Sequence, residues 1–159
     1  MLLRGRQGTE LELGVVGYEY PDERFDPWDS NWLLVSVRVL SPEGSWEVVD
    51  PCLTTWEGER LARLLTALGR RADLVAGRPL GLSEPNLTIT GRPVRGQPDR
   101  VDVRACFALE LRPPWLKTVS GSGNLCVDLD VGRPDLARAA GDLRADLARF
   151  PQRGDDPTL

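Results

Sequence analysis

Apolar residues in this chain recur mostly at every second position, and in two stretches at helical spacing. Leu2-Leu3-Arg4 predicts a short edge strand. Leu11, Leu13 and Val15 then share one face of a strand over residues 9–20. After Val15 the phase slips, and Val16, Tyr18 and Tyr20 form the next alternating set. Gly14 and Gly17 flank the slip, so a bulge or bend is expected there. Leu33, Val35, Val37 and Val39 mark one face of the strand over residues 32–40. Ser41-Pro42-Glu43-Gly44 predicts a hairpin turn. Trp46 and Val48 return on the partner strand, and Pro51, which lacks a donor, is expected to stop the ladder.

Thr54-Thr55-Trp56-Glu57 has the S/T-x-x-E spacing of a capping box and predicts a helix start. Leu61, Leu64, Leu65 and Leu68 follow on one helical face, with Gly69 as the expected C-cap. Residues 70–85 show no period and read as a long connection. Residues 86–92 predict a strand and 96–99 a turn. Val101, Val103, Ala105, Phe107, Leu109 and Leu111 then alternate without a break. Pro113 and Pro114 end that run, and a Gly/Ser loop reaches Gly123. Leu125, Val127, Leu129 and Val131 predict another strand. Pro134 suits the first turn of a last helix, whose stripe is Leu136, Ala140, Leu143, Leu147 and Phe150. The expected fold is α+β: one domain over residues 1–151, with about seven antiparallel strands covered by two amphipathic helices, then a polar tail over 152–159.

Composition narrows the function by exclusion. The chain has no histidine, which removes Ser-His-Asp and Cys-His catalysis and the commonest zinc ligand. Cys52, Cys106 and Cys126 lack CxxC spacing and read as reduced, buried thiols, with a disulfide not favoured. The net charge of −4 argues against nucleic acid, since phosphate contacts need clustered Lys and Arg. No run has the roughly 18 apolar residues of a membrane span. No apolar stretch of the kind a secretion signal needs follows Met1, so a cytoplasmic location is expected.

Residues 25–32, Phe-Asp-Pro-Trp-Asp-Ser-Asn-Trp, form the stretch that a core explains least. Asp26, Asp29 and Asn31 offer oxygen ligands, but the glycine and terminal glutamate of a calcium loop are missing. An Asx-turn leading into the strand is the ordinary explanation. Trp28, between Pro27 and Asp29, is expected to be exposed, and exposed Trp beside carboxylates suits a protein-binding hot spot. The candidate partner-binding residues are Asp26, Trp28, Asp29 and Asn31, with Trp115 as a second aromatic outside the core pattern. Glu57, Glu59 and Glu84 are weaker acid/base candidates: Glu57 fits a cap, Glu59 a solvated face and Glu84 a turn. No catalytic residue, metal or cofactor is expected.

Asp29-Ser30-Asn31-Trp32-Leu33, Gly44-Ser45-Trp46, Glu84-Pro85-Asn86-Leu87 and Leu147-Ala148-Arg149-Phe150-Pro151 together resemble the WapI family of bacterial immunity proteins. The resemblance implies a cytoplasmic, non-catalytic protein that neutralises a cognate toxin domain delivered by a sister cell. It assigns no contact residues. The alternative is a small-molecule or carbohydrate-binding module using the turn over 25–32. Treatment with EDTA is expected to leave the melting temperature unchanged. Loss of structure on chelation would instead make Asp26, Asp29 and Asn31 ligands.

Overall fold

The computed structural model describes residues 1–71, 77–117 and 123–159. The alternating stretches form seven strands, all paired antiparallel, and these divide into two sheets. The first sheet runs in chain order: β1 (Leu2–Arg4), β2 (Glu10–Tyr18), β3 (Trp32–Ser41) and β4 (Gly44–Thr54). From β4 the chain enters α1 (Thr55–Gly69). The second sheet is β5 (Leu87–Val94), β6 (Gln97–Phe107) and β7 (Leu125–Gly132), with a short α2 (Pro114–Lys117) between β6 and β7. The last helix is α3 (Arg133–Leu147). The expected α+β class stands, and the strands split into groups of four and three because the chain leaves edge strand β4 through a helix. The sheets approach at β1 and β7, where the Arg6 N–H donates to the Asp130 carbonyl at 3.2 Å.

One buried cluster joins both sheets and both long helices. Leu11, Leu13, Leu33, Val35, Val37 and Val39 face it from the first sheet, and Ile89, Val101, Val103, Phe107 and Leu129 from the second. Leu61, Leu65, Leu136 and Leu143 come from the helices. α1 and α3 meet at Gly58, where a Cβ would lie 2.7 Å from Leu147. Arg133 reaches from the start of α3 to the Leu68 carbonyl at the C-terminal end of α1 and to the Pro98 carbonyl. Its charge there opposes the negative end of the α1 dipole. Among the described residues no helix is long and apolar enough to cross a membrane.

Local departures from the sequence pattern have local causes. The bulge in β2 falls at Val16 as expected. Pro51 does not end β4: as the outer strand of its sheet, β4 tolerates a missing donor, and the register shifts there instead. Gly69 is the last helical residue, and Arg71 takes the positive φ. The β5–β6 turn is Arg95-Gly96, one residue earlier than expected, with Gly96 at positive φ. β6 stops at Phe107, and a 3-10 turn, Leu109–Leu111, follows. Leu109 is therefore half exposed although the alternation places it in the core, while Leu111 is buried. The Gly/Ser loop before Gly123 and the middle of the connection over 70–85 lie outside the described residues.

The cysteines also depart from expectation. Cys106 and Cys126 stand opposite each other in the β6–β7 register, on the outer face, and form a disulfide. Cys52 is a free buried thiol, with its pKa pushed up to about 12, chiefly by burial and then by the charge of Asp50. It is thereby held as an inert thiol.

Phe107 is fully buried and meets Trp46 edge to face at 5.3 Å. Phe107→Asp is expected to abolish cooperative unfolding, because no partner there can offset a buried carboxylate. A thermal melt like that of the wild type would show the opposite face of β6 to be inside.

Candidate partner-binding site

The stretch before β3 is built by side chains capping its own backbone. The Glu23 carboxylate accepts N–H bonds from Phe25 (2.7 Å), Asp26 (3.1 Å) and Arg24 (2.8 Å), and these bonds lower its pKa. This cap holds down through the ordinary carboxylate range and is lost as pH falls through the lowered pKa. Asp26 accepts from the N–H groups of Trp28 (2.8 Å) and Asp29 (2.9 Å), which is the expected Asx-turn. It starts the 3-10 turn Asp29–Asn31.

Asn31 is fully buried. Its amide nitrogen donates to the carbonyls of Pro27 (2.8 Å) and Arg153 (2.7 Å). Its amide oxygen accepts from Thr55 Oγ1 (2.7 Å) and the Arg153 N–H (2.9 Å). One side chain thus ties the turn to the start of α1 and to the stretch after α3. The Arg153 guanidinium also lies 3.4 Å from the Tyr18 ring centroid and donates to the Glu23 carbonyl at 3.0 Å. Arg60 pairs with Asp156 at 2.9 Å, so residues within 152–159 are bonded back onto the body of the protein.

Asp26 and Asp29 are exposed, whereas Trp28 is half-buried, because Trp56 in the first turn of α1 lies against it edge to face at 5.3 Å. The exposed aromatic ring of the turn is Phe25, 95% accessible. Its place two residues beyond Glu23, in a tight acid-capped turn, is the sequence signal for that exposure. Trp115 lies elsewhere. It meets Trp46 at 5.7 Å and covers Gly44, at the far end of β3 from Trp32. The length of β3 separates the two aromatic sites by roughly 30 Å.

Beside the turn the two sheet ends enclose a concavity of about 410 Å³. Glu19, Tyr20, Asp29, Trp32, Asp50, Pro51, Glu84, Asn86 and Glu110 line it. Both bulges of the first sheet lie at this end, and bulges bend strands away from their ladder. Glu57 fixes the opposite wall: its carboxylate accepts from the Thr54 N–H at 2.9 Å as the expected cap, and from the Ser83 N–H next to Glu84. Glu59 pairs with Arg144 at 3.7 Å on the surface. Asn86 is 4% accessible, and its amide nitrogen donates to Asp50 (3.1 Å) and Glu110 (3.2 Å). The pKa of the Tyr20 phenol is raised, first by its hydrogen bond to Glu19 and then by the charge of Glu19, with burial and Asp29 adding to it. Among the described residues no group of Asp, Glu or Cys is arranged to hold a metal ion.

Asn31→Ala leaves several buried partners without a bond, and is expected to lower unfolding stability by on the order of 3 kcal/mol. Urea titration measures this, and a loss below about 1 kcal/mol would mean that the stretches hold together without the amide.

The model of the Immunity protein WapI-like family matches residues 1–151. No curated protein and no solved structure matches the chain. The matched span runs from β1 through α3 and includes the turn, both walls of the concavity and Trp115. The chain belongs to the WapI-like family of immunity proteins.

Proposed function

We propose that this protein binds a cognate toxin domain in the cytoplasm and neutralises it by direct contact, without catalysis. Family membership over residues 1–151 is the observation that carries this reading. The turn supplies a contact surface of suitable chemistry. Phe25 stands out from it as an apolar anchor, Asp26 and Asp29 flank it, and half-buried Trp28 supports it from Trp56. Asn31 shapes that surface from inside. Trp115 is a separate contact that a toxin reaches only by spanning the first sheet. A carbohydrate module is less well supported, since a sugar needs a broad open ring and Trp28 is packed against Trp56.

The test is capture of the variable C-terminal domain of a long secreted protein encoded beside this gene. Phe25→Ala and Asp29→Ala are the clean probes. The Phe25 side chain stands in solvent, and the Asp29 carboxylate makes no hydrogen bond or ion pair among the described residues. Phe25→Ala is expected to weaken binding by about 2 kcal/mol with an unchanged melting temperature, and Asp29→Ala to slow association and reduce its salt dependence. Trp28→Ala and Asp26→Ala disturb the turn itself, so their losses need correction for stability. Full affinity in both clean variants would move the interface away from the turn.

A further inference from the structure

We propose that Cys106 and Cys126 are a reversible thiol–disulfide exchange site, open to low-molecular-weight thiols at Cys126, whose bond fastens the base of the segment carrying Trp115. The inference concerns the chain itself and holds whatever its partner. The two cysteines stand opposite each other on β6 and β7 and are joined. They lie on the outer face of the second sheet, since their strand neighbours Ala105, Phe107 and Val127 are buried. Cys126 is exposed and Cys106 is half-buried, so an attacking thiolate reaches the Cys126 sulfur first. The third cysteine, Cys52, is fully buried and does not compete. In a reducing compartment an exposed pair of this kind cycles and is not a permanent staple.

The fold does not hang on this bond. Val101, Val103, Ala105 and Phe107 hold the other face of β6 in the core, and Val127, Leu129 and Val131 do the same for β7. On the next rung of the outer face Arg104 donates to both carboxylate oxygens of Asp128, at 2.7 and 2.8 Å. The register therefore keeps the two sulfurs opposed after the bond opens, which favours closing it again. The pair sits one step from the end of the ladder, at Phe107 and Leu125. Beyond that end the chain leaves for the 3-10 turn Leu109–Leu111 and for α2, where Trp115 covers Gly44 and meets Trp46. Ladder ends fray, and a covalent bond at this rung keeps the strand ends together. In the opening direction a thiolate attacks Cys126 Sγ, the bond between the cysteines breaks, and Cys106 leaves as a thiolate that takes a proton. A second thiolate attacks the small-molecule sulfur of the mixed disulfide and releases Cys126. Two small thiols become one disulfide, and their two protons pass to the cysteines. Closing runs the same steps backwards, with the small disulfide as oxidant.

Reduced and oxidised glutathione are the probes, on the full chain, with alkylation and mass spectrometry as the readout. Excess reduced glutathione is expected to open the bond without denaturant and to leave a cooperative melt at a lowered temperature. Opening only in denaturant, or loss of cooperative melting on reduction, would make the bond a structural staple and overturn the proposal. Peptide mapping of acid-quenched wild-type intermediates is expected to place glutathione on Cys126. With oxidised glutathione, Cys106→Ser is expected to keep a mixed disulfide, and Cys126→Ser to react at least about tenfold more slowly. Glutathione mapped to Cys106, or equal rates in the two variants, would overturn the assignment of Cys126. Amide hydrogen exchange reads the fastening. Reduction is expected to speed exchange at Ala108, Leu111 and Leu116, whose N–H groups are bonded beyond the ladder end, while Val103 and Ala105 stay protected. Unchanged exchange at the first three would overturn the fastening role.

Discussion

A single buried amide holds one end of this protein together. Asn31 joins Pro27 in the turn, Thr55 at the start of α1 and Arg153 after α3, residues up to 122 apart. Each bond is worth little net, but each group it satisfies would be expensive to leave buried and unpaired. The next residue is Trp32, which opens β3 and walls the acidic hollow. The position of Asp29, of Trp28 on Trp56 and of the hollow's near wall all follow from where Asn31 is pinned. Glu57 plays the same part on the far wall, where its cap on α1 also holds the Ser83 N–H.

The two asparagines of the site differ in a telling way. Both are buried, but Asn31 uses its amide nitrogen and its oxygen within the protein, while the oxygen of Asn86 has no hydrogen-bond donor among the described residues. The surroundings follow the same division. Around Asn31 the charged group is Arg153, already placed on carbonyls and the Tyr18 ring. Around Asn86 the charged groups are carboxylates.

What could be read from the sequence follows the reach of each signal. Period-two alternation with one buried face is a local signal, and it located the strands around Leu13, Val37, Val103 and Leu129, all now buried. The Thr54–Glu57 capping box and Pro134 at the start of α3 are equally local. Leu109 misled because alternation has no mark for the end of a strand, and the positive φ there comes from the tertiary turn. The Cys106–Cys126 bond needed the β6–β7 register, which no count of cysteines supplies. Trp28 was read from its immediate neighbours, while its burial comes from Trp56, in a different element. Glu84, read as part of a turn, was seen without Asp50, Glu110 or Glu19, because the hollow assembles from separate segments only after both sheets form.

The acids of the hollow are carried on the end of β2, a capped 3-10 turn, β4, the lead-in to β5 and the 3-10 turn after β6. Each is fixed by backbone pairing or by a cap, so little ordering remains to be done when a partner arrives. The field of the cluster also acts before contact, since one sign of charge in a concave site draws an opposite charge and speeds encounter. Phe25 stands exposed on the turn that carries Asp29 to the rim of the hollow. On the proposed toxin-binding reading, the exposed acids of the turn would speed encounter with a partner, and burial of the Phe25 ring would slow its departure.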